Sequence, residues 1–115
     1  MRKINTEDVF KMARLLKNGD VIKTVKTAYE AGKKEGADSE KIGLDAAMEL
    51  LISCTDAKIE AQFYDLMAGV CEKKSEDIRT QSLESTVEDI KRICQENNIV
   101  NFLRSASGLS GKILS

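Results

Sequence analysis

An all-α fold, a single compact domain of about five to six short to medium helices, is what the sequence predicts, on three observations. Apolar residues recur at three- and four-residue steps along most of the chain, the rhythm of one helix face rather than of a strand. Apolar residues make up 42% of the composition but aromatics only 4%, so Leu, Ile, Val, Ala and Met must fill the interior, a mix that favours helices over a sheet. Asn, Asp, Ser and Gly fall between the apolar runs, where helices start and stop. At 115 residues one domain is the natural expectation, long enough to bury roughly two thirds of the surface its unfolded chain exposes.

The first helix is predicted after Asn5 and Thr6, which precede Glu7 and Asp8, a cap and two acidic residues at a helix N-terminus. Val9, Phe10, Ala13 and Leu16 give it an apolar stripe, Glu7 lies one turn from Lys11, and Gly19 is the expected end. A second helix starts near Asp20 with Ile22, Val25 and Tyr29 on one face, and stops at the loop-like Gly32-Lys33-Lys34-Glu35-Gly36. Asp38 or Ser39 caps the third, which directs Leu44, Ala47, Met48, Leu51 and Cys54 toward a core. Thr55 and Asp56 read as a break and a fresh cap.

The fourth helix has the clearest stripe: Ile59, Phe63, Leu66, Met67 and Val70. Gly69 inside it costs helix propensity, and either a close helix–helix approach or simple tolerance accounts for it. Ser75, Glu76 and Asp77 cap a short helical turn, and Ser82 opens the fifth helix, with Leu83, Val87, Ile90 and Cys94 on one face and Ile93 widening it. Asn97 and Asn98 stop that helix and cap the last, which buries Ile99, Phe102, Leu103 and Ala106. The domain is therefore expected over residues 1–108, with 109–115 a flexible tail carrying Leu109, Ile113 and Leu114.

The residues for catalysis are sparse. The chain has no histidine, the commonest acid–base group near neutral pH, and its acids fall at caps and on polar faces. Cys54, Cys71 and Cys94 are odd in number, widely spaced and on apolar stripes, without a CxxC pair. They read as buried reduced thiols, which implies a cytoplasmic protein, and no metal or other cofactor is expected. Ser107 to Lys112 is similar to the end of a phosphate loop but fails it, with Ala106 at the first glycine position and Ile113 in place of Ser or Thr.

A net charge of −1 provides no global drive toward nucleic acid. Lys91, Arg92 and Gln95 are the best local candidates for a DNA-reading helix, but Glu84, Glu88, Asp89 and Glu96 share it. No apolar run is long enough for a membrane span, and Met1-Arg2-Lys3-Ile4-Asn5 leads into polar residues without the apolar core of a signal peptide.

From Phe63 onward the sequence resembles small all-helical tail assembly chaperones encoded by long-tailed phages and prophages of Gram-positive bacteria. Phe63-Tyr64-Asp65-Leu66-Met67-Ala68-Gly69, Ser75-Glu76-Asp77-Ile78, Ser82-Leu83-Glu84, Ile90-Lys91-Arg92-Ile93 and Glu96-Asn97-Asn98-Ile99-Val100-Asn101-Phe102-Leu103 carry the likeness. The opening Ile4 to Arg14 is also similar to the start of such proteins, whereas Gly111-Lys112-Ile113-Leu114-Ser115 departs from their longer lysine-ended tail.

The resemblance implies a non-enzymatic protein that binds the tape measure protein and the major tail protein in the bacterial cytoplasm. An apolar surface is what such a client needs, and Ile99, Phe102, Leu103, Leu109, Ile113 and Leu114 are the candidates, the first three read first as closing the core and the last three, beyond the apparent helix end, as free for a partner. The alternative is a small helical regulator or adaptor, DNA-associated or not. The sequence leaves self-association open in either case.

Overall fold

The computed structural model describes residues 1–53 and 56–110, with side chains up to 108. Among them are seven helices: α1 Thr6–Leu16, α2 Gly19–Lys34, α3 Ser39–Ser53, α4 Ala57–Cys71, α5 Ser75–Thr80, α6 Leu83–Glu96 and α7 Ile99–Ser110. The count exceeds the expected five to six because the turn after Ser75 closes into a six-residue helix. It begins after Lys74 without a side-chain cap, so Ser75 lies inside the helix rather than capping it.

Caps set most of the other boundaries. Asn5 and Asp8 form a reciprocal capping box at α1, and Asp56 accepts from the Lys58 N–H at α4. Asp38 accepts from the Lys41 N–H at α3, and Asn98 from the Asn101 N–H at α7. One boundary differs from expectation: α1 ends at Leu16, and Gly19 opens α2 instead. The Asn18 side chain explains this, accepting from both the Asp20 and Val21 N–H groups and restarting the helix one residue before Gly19.

Helix α1 lies against α2, α4 and α7, while α3 lies against α2, α6 and α7, and α5 rests on α4. A radius of gyration of 12.9 Å agrees with the roughly 13 Å of a compact domain of about 100 residues. The core is built from Leu15, Leu16, Val25, Leu50, Phe63, Met67, Val70, Ile90, Ile93 and Leu103 among others. Two glycines set the closeness of approach. A Cβ on Gly43 would stand 2.4 Å from Ile99 Cγ2 and 2.9 Å from Cys94 Sγ, so α3 meets α6 and α7 at contact distance. A Cβ on Gly32 would lie 2.5 Å from Ile42 Cγ1, which closes α2 onto α3.

Three stripes differ from the reading by spacing. In α3 the buried residues are Ile42, Gly43, Ala46 and Leu50, whereas Leu44, Ala47, Met48 and Leu51 are half-buried, because this helix is apolar over most of its circumference and spacing alone does not choose its inner face. Phe10 is exposed because α1 turns Asp8, Met12, Leu15 and Leu16 inward and leaves Phe10 on the opposite side. Leu83 does lie on the buried side of α6, but in its first turn and 65% exposed, so no neighbour covers it.

Candidate functional site

Helix α7 carries four of the six candidate contact residues, and the structure brings three of them together in the core. Ile99, Phe102 and Leu103 are buried, with Ala106 and Ser107 completing the inward face, and α1 and α3 cover them. The first two residues of the expected flexible tail, Leu109 and Ser110, close α7 with only their backbone described, and the rest of it, 111–115 with Ile113 and Leu114, lies outside the described residues. Polar bonds hold α7 as well. The Arg104 guanidinium donates to Tyr29 Oη at 2.6 Å while lying 5.8 Å from that ring's centroid, and the Val100 N–H donates to Ser39 Oγ at 3.3 Å. In this arrangement Ile99, Phe102 and Leu103 reach a partner only through displacement of α7.

A cavity of about 90 Å³ lies beneath α7. Its walls come from α1, α2, α3, α4, α6 and α7 with Ile4 of the N-terminal segment, and the three buried α7 candidates, Ile99, Phe102 and Leu103, are among them. A second concavity, an open groove of about 540 Å³, runs between α2 and α3 over a floor of Ala28, Ala31, Gly32 and Met48. Lys41 at its edge is paired with Asp45 at 3.0 Å and Glu35 at 3.8 Å. Among the described residues the exposed large apolar side chains are elsewhere: Phe10 on α1, Ile52 on α3 at 73% exposure, and Leu83 on α6. Ile52 escaped sequence reasoning because it follows Leu51 on a helix whose apolar residues have no single direction.

The buried charges are structural. Asp8 is fully buried and receives the Arg2 guanidinium on both oxygens, at 2.6 and 2.9 Å, together with the Asn5 N–H at 2.9 Å. Burial alone would raise its carboxyl pKa, but the bonds from Arg2 and Asn5 outweigh it and hold the group below the ordinary carboxylate value. Gly69 leaves room for this cluster, since a Cβ there would lie 3.1 Å from Arg2 Nη2 and 3.4 Å from Lys11 Nζ. What stands at Gly69 is therefore the side-chain ends of this charged cluster and not the close helix–helix approach that was one of its two readings.

The N-terminal residues continue as a strap, with the Arg2 N–H donating to the Val70 carbonyl, Lys3 Nζ to the Glu96 carbonyl and the Ile4 N–H to Asn97 Oδ1. A second network pins the α4–α6 linker: Lys73 Nζ donates to Asp89 and Gln81, and Gln81 Nε2 donates to Asp89 and Thr86.

Cys71 and Cys94 are buried, and burial pushes both thiols up to about 11, helped by the Asp89 and Glu40 carboxylates respectively. Cys54 lies outside the described residues. Among the described residues no group of three or more His, Cys, Asp or Glu is placed to hold a metal ion, and no helix is long and apolar enough to cross a membrane. On α6, Gln95 donates to Glu40 at 3.2 Å and Lys91 stands 3.9 Å from Glu88, so two of the three residues considered for DNA reading face acidic partners. Compared with protein-family models, with curated proteins and with solved structures, the chain matches none.

Proposed function

We propose that this protein acts by binding other proteins, without catalysis, as a tail assembly chaperone-like component of a phage or prophage. Its clients are the tape measure protein and the major tail protein. One observation carries the reading: the residues of the resemblance coincide with the framework of α4 to α7. Phe63, Leu66, Met67, Ile78, Ile90, Ile93, Ile99, Phe102 and Leu103 are all buried, while Ser82 and Asn98 cap α6 and α7. The likeness is therefore one of scaffold.

The contact surface is assigned to the apolar residues at the end of the chain and to exposed apolar side chains of α3 and α6. Leu109, Ile113 and Leu114 follow the buried part of α7 in the sequence, and Ile52 and Leu83 offer exposed apolar surface that a client helix covers. Co-expression with a neighbouring tape measure protein is expected to capture it, and deletion of residues 109–115 or the pair Ile52→Lys and Leu83→Lys is expected to weaken capture. Capture that none of these changes alters would remove this surface from the proposal. A gene neighbourhood of repressors and integrases, with no capture of either tail protein, would sink the assembly role itself.

A further inference from the structure

We propose that the cavity beneath α7 is a dry binding site for one small, uncharged, apolar guest. Its volume is about 90 Å³, and the side chains around it are apolar from every contributing helix: Met12 from α1, Val25 from α2, Leu50 from α3, Met67 from α4, Ile90 from α6 and Leu103 from α7. A buried water needs two to four hydrogen-bonding partners, and the space, although larger than the roughly 30 Å³ a water occupies in the liquid, offers it apolar walls. Water therefore loses its bonds on entering, whereas an apolar guest gains dispersion contacts with the apolar walls.

The void persists because the helices around it cannot close further. Gly43, one turn before Ala46, already meets Ile99 and Cys94 so tightly that a Cβ would stand 2.4 Å from Ile99. Beside that contact Ala46 and Ala47 present only methyl groups, too short to fill the gap. Ser39 and Glu40 fix the same end of α3, through bonds from the Val100 N–H and from Gln95. A cavity of about 150 Å³ lined by Leu, Ile and Phe stays dry and takes benzene or xenon. This smaller one suits a single xenon atom or a short alkane. Guest binding is independent of client binding, and either can fail without the other.

Xenon is the probe. Methyl carbon–proton spectra of the full chain under xenon pressure are expected to show saturable shifts at Ile90, Ile93 and Leu103, which line the cavity, and none at Ile78, which is buried outside it. Ala46→Leu and, separately, Ala47→Leu fill the space and are expected to reduce that response roughly tenfold or abolish it. The absence of saturable shifts in the unaltered protein overturns the site, as does a uniform shift that includes Ile78. Nuclear Overhauser contacts from these methyls to a long-lived water also overturn it. The unaltered protein alone decides these outcomes, and a folded filling variant that responds like the parent overturns the site as well.

Discussion

Asp8 joins the N-terminal strap to α1, since its carboxylate caps the helix and takes both Arg2 nitrogens in a fully buried position. Asp8→Ala leaves the Asn5 N–H without its acceptor and the Arg2 guanidinium with only its bond to the Lys3 carbonyl. The expected loss is about 2–3 kcal/mol, below the cost of breaking a fully buried pair because Arg2 is 28% exposed, and urea unfolding measures it. The pH dependence follows from the lowered carboxyl pKa. A carboxylate depressed on folding contributes stability that is complete above its unfolded value and is lost as pH falls through its folded value. An acid titration followed by circular dichroism should therefore show a component below the ordinary carboxylate range that Asp8→Asn removes.

Glu72 ends α4 with φ 59°, in the left-handed region that a side chain opposes. Glu72→Gly is expected to raise the melting temperature, the relief of about 1–2 kcal/mol exceeding the roughly 0.5–1 kcal/mol that glycine's freedom in the unfolded chain costs. The Asn5–Asp8 cap was legible because both partners lie within one turn. Arg2 was not, because its partner is reached only when the strap folds back over Val70.

Among the elements, α4 and α7 were read closely from spacing, since one side of each is apolar and that side is the buried one. The face of α3 was not legible. Its apolar residues surround the axis, and the deciding residue is Gly43, which has no hydropathy signal but allows the closest approach to Ile99. Gly43→Ala improves helix propensity by about 1 kcal/mol, yet its Cβ would lie 2.4 Å from a buried methyl group. A net destabilisation of about 1–3 kcal/mol is expected from overpacking, and a lower urea midpoint would show it. Ile52→Lys and Leu83→Lys should each change stability by no more than about 0.5 kcal/mol, because both side chains stand in solvent. Ile93→Ala in the core should cost about 2–5 kcal/mol. Thermal melts of the three variants separate surface from core directly.

For the whole molecule, Cys71 and Cys94 report on global integrity. Buried, with thiols pushed up to about 11, they should resist alkylation at pH 8 in the native protein and react once urea unfolds it, as peptide mass mapping would show. Rapid native labelling of either would mean that the core opens locally.

The sequence by itself determined the helical class, most helix boundaries and the apolar composition of the interior, because periodicity and caps act within a few residues. It also supplied the resemblance on which the client-binding proposal depends. Only the tertiary structure decided that Ile52, Leu83 and Phe10 remain outside the core. Only it revealed that Asp8 is paired and buried and that a void persists beside Ala46. Each of these depends on which distant segment arrives at a given face, as at Gly43, where the close approach of Ile99 and Cys94 is a neighbour that the residue type alone does not name.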